Sequence, residues 1–99
     1  MNILGVIPAR GGSKRIPGKN LRRLEGKTLV AWAIDGARES RQLTRLVVST
    51  EDVRIAAEVY ALGVEVVDRP LDLAGDDTPM VAVFQHVASQ ITADFYVCL

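Results

Sequence analysis

Sulfur and imidazole chemistry have almost nothing to work with in this chain. Its single cysteine, Cys98, excludes an internal disulfide and is compatible with a reducing cytoplasm. On its own pattern Cys98 reads as a small apolar residue buried on a strand. The single histidine, His86, has no cysteine or second histidine to share a metal, and reads as a surface or rim residue. No segment has the length or apolar purity of a transmembrane helix. Met1-Asn2 carries no basic region and the first apolar run meets Pro8 too soon for a secretory leader, so a cytoplasmic location is expected. Repeats, low-complexity tracts and linkers are missing too, which leaves no internal domain boundary. The 99 residues and 48% apolar content suit one small domain with a core of its own.

Net charge is also missing, but only as a sum. Residues 10–27 hold seven Lys/Arg against one Glu, so the remainder carries the balancing negative charge. A local basic patch on a neutral protein suits a small polyanion better than a nucleic-acid surface. The patch centres on Ile7-Pro8-Ala9-Arg10-Gly11-Gly12-Ser13-Lys14-Arg15-Ile16-Pro17-Gly18-Lys19-Asn20. An apolar run, Ile3 to Ile7, leads into it and is too brief for a helix, so it reads as a buried strand. Glycines allow sharp turns and close approach of backbone N–H groups to a ligand, and the prolines stiffen those turns. Such N–H groups attract anions, and Arg10, Lys14, Arg15 and Lys19 add full charges. Phosphate binding is the chemistry that asks for this combination. A flexible basic surface loop is the plain alternative, and it leaves the joint arrival of strand, glycine pair, prolines and cations unexplained. The loop is neither a Walker A sequence nor a dinucleotide fingerprint, since neither spacing occurs in it.

Along the chain, strand and helix signals alternate. After strand one (about Asn2 to Pro8) a turn is expected at Glu25-Gly26. Thr28 is placed to cap a helix running to about Ser40, with Leu29, Val30, Ala33, Ile34 and Ala37 inward and Trp32 filling core or a subunit contact. Arg45 to Ser49 reads as a strand, and Ser49 to Asp52 has capping-box spacing. The next helix, with Ile55, Ala56, Val59 and Leu62 inward, runs to about Leu62 and is stopped by Gly63. Val64 to Asp68 is a third strand, followed by irregular chain to Asp77. Thr78 and Pro79 then read as cap and first residue of a helix whose core face is Met80, Phe84, Val87, Ala88 and Ile91. Asp94 to Leu99 is a fourth strand. The alternation implies an α/β fold with a parallel sheet covered on both faces.

Three stretches resemble the acylneuraminate cytidylyltransferases, the enzymes that make CMP-activated sialic acids. They are Val6 to Asn20; Arg45 to Asp52; and Gly63 to Pro70 followed by Leu73-Ala74-Gly75-Asp76-Asp77-Thr78. The resemblance covers nearly the whole chain. It implies a Rossmann-like nucleotidyltransferase three-layer sandwich with a mainly parallel sheet, of which residues 1–99 form the N-terminal half of a single domain. It also implies transfer of CMP from CTP to a nonulosonic sugar acid with loss of pyrophosphate, magnesium as cofactor, and a homodimer at full length. Arg10 and Lys19 then contact the phosphates as catalytic residues. Gly11, Gly12 and Ser13 offer backbone or hydroxyl donors to the nucleotide, and Ala9 lines it with them. Asn20 suits the sugar or base, Arg69 stands at the nucleotide pocket, and Asp77 and Thr78 lie where the family reads cytosine. Asp77 and Thr78 have an equal excuse as helix-start residues, and Arg69 has one as a solvent-exposed strand-end cation. The family's acidic metal ligands fall beyond Leu99, so none is assigned here. Two other readings stay open: a catalytically incomplete phosphate-binding module, and an enzyme for a related acid such as 3-deoxy-octulosonate. The Gly-Gly-Ser-Lys run and Asn20 lean towards the nonulosonate branch.

Overall fold

A computed structural model describes residues 1–12 and 18–99. Four strands form one parallel sheet: β1 (Ile3–Pro8), β4 (Arg45–Thr50), β5 (Glu65–Asp68) and β6 (Phe95–Cys98), in the order β5-β4-β1-β6. A two-stranded hairpin, β2 (Arg23–Leu24) with β3 (Lys27–Thr28), precedes the first helix. The helices are α1 (Leu29–Arg38), α2 (Val53–Ala61) and α3 (Met80–Gln90).

The strands alternate as a sheet covered on both faces requires. Ile7 and Val48 turn to one face, where Val30, Ile34 and Ala37 of α1 and Ile55 and Val59 of α2 close over them. Leu4, Val6 and Val47 turn to the other, where Val87 of α3 covers them with Phe84 and Ile91. The result is three layers, as expected. The chain steps outward from β1 to β4 to β5 and then returns to the far side of β1, so the winding reverses between β1 and β6. In open α/β sheets the crevice at such a reversal, outside the carboxyl ends of the strands, is where ligands bind.

The elements fall close to expectation, and the departures have local causes. Thr28 does cap α1, its Oγ1 accepting from Ala31 N–H at 3.2 Å. Ala31 is buried and Ala33 exposed, however, the reverse of the expected stripe, because alanine is too small to show which side of a helix it occupies. Trp32 is not in the core. Its indole N–H donates to Leu24 O at 2.9 Å and the Lys27 ammonium lies 4.1 Å from its ring centre, so it braces the hairpin from outside. The expected turn at Glu25-Gly26 is the hairpin corner, with φ of 52° and 82° at the two positions.

The capping box at Ser49 is overturned. β4 runs on through Thr50, and Asp52 itself caps α2, accepting from Arg54 N–H at 2.7 Å and Ile55 N–H at 3.2 Å. Gly63 ends that helix with a φ of 77°, as expected. At α3, Pro79 occupies the cap position, while Thr78 accepts from Gly75 N–H and closes the turn before it. Val83 and Val87 are the buried face; Met80 and Ala88 are exposed. Cys98 is on a strand as read, but exposed, because β6 is an edge of the described sheet. Among the described residues no helix is long and apolar enough to cross a membrane.

Candidate functional site

β1, β4 and β5 end side by side, so the segments that leave them meet above the carboxyl edge of the sheet. A cleft of about 210 Å³ opens there, lined by Pro8, Arg10, Lys19, Asn20, Arg69 and Met80. Four of the residues singled out in the sequence therefore come together, from positions 10 to 69. Lys19 is exposed on a short 3-10 turn, Lys19–Leu21, that follows Gly18 in the left-handed region at φ 66°. The three cations give the cleft its charge. Arginine suits it especially, because the planar fork of N–H groups matches phosphate oxygens two at a time.

Arg69 has the least ordinary setting. It is only 6% exposed, against the plain reading of a solvated strand-end arginine. Its Nε donates to Ser49 Oγ at 3.0 Å and its Nη2 to Ser49 O at 3.2 Å, so Ser49 is an arginine holder rather than a helix cap. Burial lowers the Arg69 pKa; the charge of Glu51 counters that, and Arg10 adds to it. An arginine stays protonated under such shifts, so the site keeps a desolvated cation in place before any ligand arrives.

Arg10 is partly exposed and pairs with Asp76 at 2.5 Å, bridging the segment after β1 to the segment after β5. Ala9 is fully buried, and its N–H donates to Ser49 O at 2.9 Å, which anchors the strand end. Gly11 N–H donates to both carboxylate oxygens of Glu51. Gly12 is exposed beside it, on the wall of a more open depression lined also by Glu51, Asp52 and Gly75. Asn20 Nδ2 donates to Arg10 O at 3.1 Å. Ser13, Lys14 and Arg15 lie outside the described residues. Asp77 and Thr78 are not in the lining of the cleft; it is the neighbouring Asp76 that reaches Arg10, and Met80 that forms the wall. Glu51 and Asp76 escaped the sequence reading because each sits beside a residue with a ready helix-start role.

Among the described residues no group of three His, Cys, Asp or Glu is placed to hold a metal ion. Two carboxylates at this edge of the sheet are bonded to protein groups, Glu51 to Gly11 and Asp76 to Arg10. The described residues do not make a magnesium site by themselves.

A parallel sheet with helices on both faces and a cationic cleft at its carboxyl edge defines an open α/β fold of the kind that receives ligands at that edge. The comparison with known sequences narrows this: residues 4–99 match the model of the cytidylyltransferase family, and the chain belongs to that family. It is 39% identical over 94 residues to a 3-deoxy-manno-octulosonate cytidylyltransferase of Bdellovibrio bacteriovorus, covering 95% of this chain and 38% of that protein. It is 46% identical over 82 residues to a CMP-N,N'-diacetyllegionaminic acid synthase of Legionella pneumophila, covering 82% of this chain and 35% of that one. Among solved structures, a CMP:2-keto-3-deoxy-manno-octonic acid synthetase complexed with CTP superposes with a TM-score of 0.88 at 28% identity, over 100% of this chain and 39% of that chain. The chain thus spans about 38% of the length of the first of these relatives. The family is the one the motifs pointed to at the level of cytidylyl transfer. The relatives divide between octulosonate and legionaminate acceptors, so the narrower acylneuraminate assignment is not singled out.

Proposed function

We propose that this chain is the nucleotide-binding part of a longer cytidylyltransferase that joins CMP from CTP to a keto-deoxy sugar acid. The observation that carries the proposal is the convergence of Arg10, Lys19, Asn20 and Arg69 on one cleft at the carboxyl edge of the sheet. In the reaction the anomeric hydroxyl of the acid attacks the α-phosphorus of CTP. The bond to the β-phosphate oxygen breaks, pyrophosphate leaves with its electron pair, and the hydroxyl proton is lost. Both substrates are anions, so the site must offset their repulsion and the charge that grows on the leaving group. Fixed cations in a partly desolvated cleft do this without reorganising as the reaction proceeds. Arg69 is such a cation, and Arg10 and Lys19 bring two more to the same space.

The acceptor is an eight-carbon octulosonate or a nine-carbon nonulosonate. Relatives of both kinds support the class. The motif lean towards nonulosonates is retained as the first to test. Magnesium enters by resemblance only, with protein ligands in the part of the longer enzyme that follows Leu99, and no step here is routed through it. A cytoplasmic homodimer is part of the same proposal, and residues 1–99 alone are expected to be inactive.

The test uses the full-length enzyme, four nucleoside triphosphates and a panel of octulosonic and nonulosonic acids, read by pyrophosphate release. Turnover with CTP and one class of acid is the expected result. Equal rates with every nucleotide, or none with any acid, would remove the proposal.

A further inference from the structure

The peptide unit between Arg10 and Gly11 is gripped from both ends. Its carbonyl, Arg10 O, accepts from Asn20 Nδ2 at 3.1 Å. Its N–H, on Gly11, donates to the carboxylate of Glu51, 3.1 Å from Oε2 and closer to Oε1. Glu51 is the first residue after β4, the strand bonded to β1 along its length, so the grip is built into the sheet. The fit is close in space as well: a methyl group on Gly11 would stand 2.5 Å from Asp52 Cβ. Only glycine lets the backbone lie against that turn.

From this geometry we infer that Glu51 is a positioning residue of the nucleotide cleft. Opposite Asn20, it clamps the Arg10–Gly11 peptide and so aims the Arg10 side chain at the phosphates. The inference rests on the proposed nucleotide-binding reading and deepens it in two ways. Gly11 N–H, expected as a phosphate donor, is committed to a protein carboxylate and is not one of the donors. Asn20 holds the Arg10 carbonyl through its amide nitrogen, in addition to any contact its oxygen makes with the nucleotide. A carboxylate beside a triphosphate site is otherwise unfavourable, since like charges repel. Its place is explained by the clamp, and by the charge it sets against the buried Arg69 guanidinium.

The two duties of Glu51 separate in variants. Glu51→Ala removes hydrogen bond and charge; Glu51→Gln keeps an oxygen that accepts from Gly11 N–H and loses only the charge. In the full-length enzyme, CTP binding measured by calorimetry should weaken about tenfold or more in Glu51→Ala. Most of the loss should be restored in Glu51→Gln. The kinetic mark of positioning is a rise in KM for CTP that exceeds the fall in kcat. Hydrogen exchange at the Gly11 amide, read without nucleotide, should quicken in Glu51→Ala and return towards the parent rate in Glu51→Gln. CTP bound as tightly or more tightly by Glu51→Ala would overturn the inference, marking the carboxylate as a stand-in that phosphate displaces. Equal losses in both variants would overturn it too, leaving charge balance for Arg69 as the whole role. An enzyme that binds no CTP would sink the nucleotide reading, while the Gly11 exchange rates would still decide the clamp.

Discussion

Replacing Gly11 by alanine should destabilise the protein through one identifiable contact. The new methyl would lie 2.5 Å from Asp52 Cβ and 2.7 Å from Asp52 Cγ, well inside van der Waals separation. The opposing atoms are next to the backbone at the cap of α2, held by bonds from Arg54 and Ile55, so they cannot swing aside as a side-chain tip would. Overpacking of this kind costs about 1–3 kcal/mol. Asp52→Gly removes the three nearest opposing atoms and loses a cap, for which glycine is a fair substitute at about a few tenths of a kcal/mol. The double variant should then be more stable than the sum of the single changes predicts, by ~1 kcal/mol or more. Urea denaturation followed by far-ultraviolet circular dichroism on the full-length enzyme and the three variants gives the cycle. Additive losses would refute the reasoning, because they would mean that Gly11→Ala acts somewhere other than against Asp52.

Arg10→Ala and Lys19→Ala should each weaken CTP binding by ~1.5–3 kcal/mol, the worth of a charge-assisted contact, and leave the unfolding midpoint nearly unchanged; unaltered affinity in calorimetry would remove their assigned roles. Asp76→Asn frees Arg10 from its partner across the cleft and should tighten CTP up to about fivefold, the ceiling for a partly exposed pair; weaker binding would show that the pair aims Arg10 instead of competing for it. For Asp52, burial pushes the carboxyl pKa up, but the N–H groups of Ile55 and Arg54 and the Arg54 guanidinium outweigh it and hold the pKa below the ordinary range. A pKa lowered on folding means the stabilisation is complete above the unfolded value, about 4, and is lost as pH falls through the folded one. The thermal midpoint should therefore drop below about pH 4, and less so in Asp52→Asn; parallel pH profiles would count against it. Glu25 adopts a φ of 52° at the hairpin corner, a conformation that asparagine tolerates better, so Glu25→Asn should raise the thermal midpoint by the equivalent of about 0.5–1 kcal/mol, and a fall would refute the turn assignment.

The sheet could be read from the chain because its signals are redundant. Short strand signals at Ile3 to Ile7, Arg45 to Ser49 and Val64 to Asp68 alternate with helix patterns and stops such as Gly63. Order of strands and family motifs then place the segments after β1, β4 and β5 at one edge, which is why Arg10, Lys19, Asn20 and Arg69 were legible as a set. What was hidden depends on partners rather than on pattern. A serine before Thr-Glu-Asp looks like a cap until Arg69 is seen to need its oxygens. Thr78 looks like a cap until Gly75 claims its hydroxyl. Glu51 looks like a helix-start carboxylate, and only the three-dimensional approach of β1 to β4 reveals that its partner is a glycine amide forty residues earlier. The faces of α1 and α3 slipped where alanine and an exposed methionine carry little sidedness.

The strand order has a consequence for how the protein is made. β1 emerges from the ribosome before the other strands of the sheet, yet its two neighbours are β4 and β6, and the pair Ile3 with Phe95 closes only once Phe95 has been synthesised, 92 residues later. At about 5–20 residues per second, the central strand waits roughly 5–20 s with one edge and an apolar face unprotected. Throughout that interval the segment that carries Arg10 and Gly11 hangs from an unfinished sheet. Stalled nascent chains ending before Phe95 should therefore be held by chaperones or degraded by added protease, and chains long enough to clear Leu99 from the exit tunnel should become resistant. Resistance already present once β4 and α2 have emerged would show instead that β1 is secured from one side alone.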